Sequence, residues 1–246
     1  MDNMLYIAMT GAKQMLAAQG ANSNNLANIN TSGFRADLAA FKSLPVSGPG
    51  YSSRVYAQAE TVGVNVSQGT VTTTGRDLDA AVDGEGWIAV QGTDGKEAYT
   101  RSGEFRISAA GVLETYAGYA VLADGGPITL PPADKVAIGA DGTISILPVG
   151  QAASSLATVG RIKLVNPPAD QLIKGTDGLV HLKDGSSAPA EASVKLIAGA
   201  LEGSNVNTID AMANMIQLAR MYDMQLKMMK EAQQNDAASA QLISLG

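Results

Sequence analysis

The sequence predicts an α+β protein: N- and C-terminal helices that pair in a coiled-coil-like manner, with an all-β, antiparallel middle body between them. Three observations lead there. Apolar residues recur at alternating spacings of three and four near both ends of the 246-residue chain. All nine prolines and nearly all glycines fall between those ends. Asp-Gly pairs punctuate the middle at Asp83, Asp94, Asp124, Asp141, Asp177 and Asp184, and Asp-Gly between apolar runs is a hairpin signal because both residues tolerate positive φ.

The first element covers residues 1–30. Leu5, Ala8, Ala12, Met15, Gln19, Asn22, Leu26 and Ile29 form one stripe, apolar at its ends and polar in its middle. Asn22, Asn24, Asn25, Asn28 and Asn30 crowd its second half. Asparagine is a weak helix former because its amide competes for nearby backbone groups. An amide also offers a donor and an acceptor without the desolvation cost of a charge. Asn30 to Gly33 (NTSG) reads as the positive-φ stop.

Residues 31–75 read as an irregular or β connecting segment, with LPVSGPGYSS at Leu44–Ser53 its least regular part. Residues 76–204 form the β-rich body, as one domain or two subdomains. Its apolar runs are short: GWIAV, EFRIS, GYAVL, TISIL, VGRIKLV, GLVHL and SVKLIAG. Strands of that length with frequent turns describe an antiparallel architecture. Gly84-Glu85-Gly86 resembles half a dinucleotide fingerprint, but an alternating strand follows rather than a helix, so a hairpin turn is expected.

The last element covers residues 205–246 and has no Gly or Pro before Gly246. Thr208 is the expected N-cap, with Asp210 in the first turn facing the positive helix end. Met212, Met215, Ala219, Tyr222, Leu226 and Met229 again alternate three and four. A helix from Ile209 to Leu245 would be ~55 Å long at 1.5 Å per residue. Isolated helices with one narrow stripe are marginal in water. Each stripe is covered either by the β body or by other helices; the Met-rich, Lys-poor character and the terminal positions favour other helices, including those of neighbouring chains.

Composition excludes several function classes. A net charge of -6 and a pI near 4.8 oppose a nucleic-acid partner. Cysteine is absent, and His181 is the single histidine, leaving little material for metal clusters or triads. Asp77, Asp79 and Asp83 miss calcium-loop spacing, since Ala81 and Val90 occupy ligand positions counted from Asp79. Trp87 and Tyr99 read as core before they read as a sugar site. No cofactor is expected, and no window suits a membrane span. MDNMLYIAMTGAKQ has no basic n-region and interrupts its apolar run, so no cleaved signal peptide is expected.

Four blocks, SNNLANINTSGFRA, QGTVTTTGRDLDAAVDGEGWIAV, AYTRSGEF and GALEGSNVNTIDAMANMIQLARMYDMQLK, resemble the flagellar basal-body rod and hook family. GWIAVQGTDGKEAYTRSG and the ending MQLKMMK are most similar to its proximal-rod branch; the distal-rod branch is the alternative. The resemblance implies a structural axial protein and no enzyme. Such proteins pass unfolded through the flagellar type III export apparatus and polymerise in the periplasm with copies of themselves and other rod proteins. Their terminal helices form the inner core of the hollow drive shaft, and β domains form its outer layer. On this reading residues 1–30 and 205–246 make the rod core. Subunit packing is then expected at Leu5, Ala8, Ala12, Met15, Asn22, Asn25, Leu26, Asn28, Ile29, Met212, Met215, Ala219, Tyr222, Leu226 and Met229. Two rival classes compete: a secreted β-rich adhesin with a helical stalk, and a carbohydrate-active enzyme with one acidic pair.

Overall fold

A computed structural model describes residues 4–45, 55–150 and 156–244. Two helices bracket a run of short strands, and every strand pair whose register is resolved is antiparallel. The chain divides into two compact units: Met1–Ala27 with Asp37–Val62 and Asn207–Gly246, and Asn28–Ala36 with Gly63–Val206.

In the first unit, helix α1 (Met4–Ala27) packs on helix α2 (Thr208–Ser244). Gly11 faces Gln225, and the Asn22 amide donates to the Ala211 carbonyl at 2.7 Å, so the two helices run antiparallel. The inward face of α1 is made of Ala8, Gly11, Ala12, Met15 and Ala18. Small residues let backbones approach: a Cβ on Gly11 would stand 3.0 Å from the Gln225 side chain. Strands Asp37–Pro45 and Val55–Val64 pair as a two-stranded ribbon.

Both helix boundaries differ from expectation. α1 ends at Ala27, so Asn28 and Ile29 lie beyond the helix. The chain there forms successive turns, with Thr31 N–H donating to Asn28 O (3.1 Å) and Phe34 N–H to Thr31 O (3.3 Å). The Thr31 hydroxyl also donates to the Asn28 side chain. Side-chain bonding of this kind is what draws asparagine out of helices. At the other end the cap is Asn207, not Thr208. Asn207 Oδ1 accepts from Ile209 N–H at 3.0 Å and Asp210 N–H at 3.5 Å, the second and third helical donors.

The second unit is built on a five-stranded sheet in the order Leu164–Val165, Trp87–Gln91, Glu97–Thr100, Val180–Leu182, Leu172–Lys174. Trp87–Gln91 is covered on both faces. Ile88 and Val90 enter one hydrophobic cluster with Phe105, Leu113, Ile144 and Ile146, while Trp87 and Ala89 enter a second with Tyr99, Val165 and Leu172. Double coverage explains why WIAV is continuously apolar rather than alternating. A three-stranded sheet (Ala133–Ile138, Thr143–Pro148, Ala157–Arg161) closes over the first cluster.

One hairpin loop recurs. In Gly92–Lys96, Gly139–Thr143 and Gly175–Leu179 the first N–H donates to the fifth carbonyl at 2.8 Å, and the fourth residue is a glycine with φ near +80°. That is a tight turn followed by a left-handed bulge residue. The aspartate before that glycine (Asp94, Asp141, Asp177) accepts from the N–H two residues on, at 3.0, 3.1 and 3.1 Å. Ser108–Val112 and Thr115–Tyr119 adopt the same backbone with alanine in the aspartate's place. There Ser108 Oγ and Thr115 Oγ1 accept from that N–H instead. Hydrogen bonds from the Thr143 hydroxyl and backbone hold Asp141 below the usual carboxylate range.

Two Asp-Gly pairs do not make hairpins. Ala80–Asp83 pairs with Lys195–Ala198, so Gly84–Gly86 is a corner between sheets. A Cβ on Gly86 would lie 2.6 Å from Val194 Cγ1; the glycine there serves close packing. Asp184-Gly185 leads from Val180–Leu182 into an irregular stretch.

Candidate assembly interface

Of the residues expected to pack subunits, Ala8, Ala12 and Met15 are buried, and Leu5, Asn22, Asn25 and Leu26 are half-buried. Asn28 and Ile29 are half-buried in the turn after α1. On α2, Met215, Ala219, Tyr222 and Met229 are half-buried, whereas Met212 and Leu226 are 52% and 43% exposed. The sheltered residues of α2 include Ala211, Met215, Leu218, Tyr222, Gln225, Met229 and Ala232, again at spacings of four and three. Every other step of that stripe sits one position before the apolar series read from the sequence. The reason is close packing: opposite Gly11 the seam takes a flexible amide, Gln225, and at its ends alanines.

Large apolar side chains are left outside. Ile209, Met212 and Ile216 are 78%, 52% and 56% exposed, and Tyr6, Met9, Leu16, Met224 and Met228 are exposed too. Single exposed apolar residues are ordinary; here they recur along both helices. Two of the asparagines serve the chain's own backbone: Asn22 bonds Ala211, and Asn25 bonds both N–H and C=O of Asp37 at 2.9 and 3.1 Å.

In the second unit the quoted sequence blocks converge on a buried ionic anchor. Arg35, Glu202 and Arg101 are 2%, 0% and 3% exposed. Arg35 Nη2 contacts Glu202 Oε1, Arg101 Nη1 donates to Oε2 at 3.1 Å, and Gly69 N–H donates to Oε1 at 2.7 Å. Both guanidinium carbons lie over the Trp87 ring, 5.8 and 5.4 Å from its centroid. Burial pulls Arg101 below its ordinary value, and Glu202 opposes that pull. Arg35 Nε, Arg35 Nη1 and Arg101 Nε are buried without a hydrogen-bond acceptor; the Trp87 π face is their nearest compensation.

Backbone contacts thread the same place. Gly33 N–H donates to Glu202 O at 2.7 Å, and Gly33 has φ +68° with Arg101 and Ser102 backbone where a Cβ would sit. Asn205 Oδ1 accepts from Ala36 N–H at 2.8 Å while its amide donates to Asn65 O and Ser67 O at 2.8 and 3.0 Å. Lys174 Nζ donates to Arg35 O at 2.8 Å and lies 3.9 Å from the Phe34 ring centroid. These roles of Arg35, Arg101, Glu202 and Asn205 escaped sequence reasoning. The available signal was a single charged residue in each glycine-containing block, SGFRA, TRSG and LEGSN.

Beside the anchor is a cavity of about 470 Å³ floored by Trp87, Arg101 and Leu172 and rimmed by Glu85, Pro167 and Pro168. His181 sits in a strand with Nε2 3.1 Å from Asp177. Among the described residues no cluster of three metal-ligating side chains occurs, and no helix is long and apolar enough to cross a membrane.

Three family models match the chain: a flagella basal body rod protein model over residues 5–35, a flagellar hook protein FlgE/F/G D1 domain over 81–146, and a flagellar basal body rod FlgEFG protein C-terminal model over 197–242. The flagellar basal-body rod proteins FlgF of Salmonella typhimurium and of Escherichia coli are each 39% identical over 251 residues, with 100% of both chains covered. The flagellar basal-body rod protein FlgG of Bacillus subtilis is 32% identical over 86% of this chain and 88% of its own length.

Proposed function

The chain belongs to the flagellar basal-body rod proteins and is FlgF-like, and from that premise we propose that it is a structural subunit of the proximal rod, built into the drive shaft through its helix pair. The observation that carries this reading is the row of exposed large apolar side chains on α2, beginning with Ile209, Met212 and Ile216, beside a seam already filled within the chain. A monomer gains nothing from leaving them in water; burying one such side chain contributes about 1.5–3 kcal/mol. Copies of the same chain and other rod proteins are the partners that cover them, in coiled-coil-like contacts. A wall that does not close on itself needs heterologous contacts repeated along its length, and methionines adapt to neighbours that meet them at different angles.

Export in unfolded form through the flagellar type III apparatus and assembly in the periplasm follow from the same reading. A distal-rod role is the second reading, and the weaker FlgG likeness ranks it lower. The relatives are rod proteins, so the adhesin and glycosidase readings lose their ground.

The test is deletion of residues 232–246 in a strain lacking its own copy. The β unit is expected to keep its near-native circular dichroism while rods lack the variant and cells do not swim. Normal incorporation of the truncated chain would contradict the proposal.

A further inference from the structure

We propose that the Arg35–Glu202–Arg101 cluster is a positioning device: it sets the path of the two chain segments bound to it, residues 33–36 and 202–205, rather than the stability of the β unit. The inference rests on the rod reading above for its consequence in assembly, and on geometry for the rest. Glu202 is a hub. One carboxylate oxygen takes Arg35 and the Gly69 N–H, and the other takes Arg101, while the Glu202 carbonyl takes the Gly33 N–H. Two residues on, Asn205 clasps Ala36, Asn65 and Ser67. The first segment follows α1 by a few residues, and the second precedes α2 by a few residues. Fixing one against the other fixes, within the β unit, the chain just after α1 and just before α2.

A cluster selected for stability would be built otherwise. Replacing a buried ion cluster by apolar residues of similar volume is often neutral or stabilising. Here two guanidinium groups share a single carboxylate, three buried N–H groups lack an acceptor, and the surplus charge rests on Trp87. That is a costly way to fill space. It is an effective way to choose one chain path, because any slip of either segment separates a buried carboxylate from its partners. Leucines and methionines in the same volume would tolerate such a slip. Arg35, Arg101 and Glu202 are thus positioning residues for assembly.

The experiment compares full-length wild type, Glu202→Gln and the triple variant Arg35→Met, Arg101→Met, Glu202→Leu. Each is measured for melting temperature, for amide exchange, and for swimming in a deletion strain. The triple variant is expected to melt at or above wild type, yet to exchange at least tenfold faster at residues 33–36 and 202–205 and to swim poorly. Equal protection of those segments and equal swimming would overturn the inference. If the triple variant does not fold, Glu202→Gln decides below its melting temperature. Faster exchange confined to the two segments supports the inference; acceleration spread evenly over 87–91 and 97–100 as well overturns it. Failure of the wild-type chain itself to restore swimming would count against the rod reading, and the exchange data would still judge the positioning role.

Discussion

The helix pair and the β unit use apolar residues in opposite ways. In the β unit the core is built from large side chains: Tyr99, Phe105 and Ile88 have no exposed surface, although Tyr116 and Leu156 stand outside it. In the helix pair the enclosed face of α1 is made of alanine, glycine and a single methionine. The α2 seam adds half-buried Met215, Leu218, Tyr222 and Met229, and other large apolar side chains face outward. The first arrangement is that of a closed core, with the central strand Trp87–Gln91 covered on both faces. The second leaves an apolar surface uncovered. Backbones brought close by small residues on α1 leave bulky ones such as Ile209, Met212 and Ile216 in solvent, where the proposed contacts with another chain would bury them.

The contrast predicts a graded response to substitution. The largest effect is expected at Phe105→Ala, which opens a cavity in the closed core and costs about 3–5 kcal/mol. Urea unfolding of the purified chain measures it, and a loss under about 1 kcal/mol would mean the core collapses around the gap. Next comes Asn207→Ala. Removing the acceptor for the Ile209 and Asp210 N–H groups is expected to cost about 1 kcal/mol, read as faster amide exchange confined to the first turn of α2. Exchange unchanged at Ile209 and Asp210 would show that the cap contributes nothing to helix initiation. The smallest change in monomer stability belongs to the outward row: serine at Ile209 or Ile216 is expected to shift it by no more than ~0.5 kcal/mol per site.

Much of this division is legible along the chain. The three-four spacing marked both helices, and Asp-Gly before a strand marked hairpins at Asp94, Asp124, Asp141 and Asp177. Spacing gives period but not phase. Read by hydropathy, the α2 seam runs through Met212 and Leu226, while the folded chain prefers Ala211, opposite Asn22, and Gln225, opposite Gly11. The asparagines at the end of α1 look helical by position and leave the helix at Asn28 because their side chains bond locally. The anchor was invisible for another reason. Arg35 and Glu202 are separated by 167 positions and Arg101 and Glu202 by 101, and no local periodicity reports a partnership at that distance. Glycine was similarly ambiguous: at Gly86 it permits contact with Val194, not a hairpin.

The account stands on the outward face of the helices being an interface. The direct measurement is a chain carrying Ile209→Asp, Met212→Asp and Ile216→Asp, assayed side by side for monomer melting and for incorporation into isolated basal bodies. Melting within a few degrees of wild type, with basal bodies that lack the variant, is the predicted result. Basal bodies that contain it at wild-type level, from cells that swim normally, would contradict the claim that these side chains are kept for a neighbouring chain.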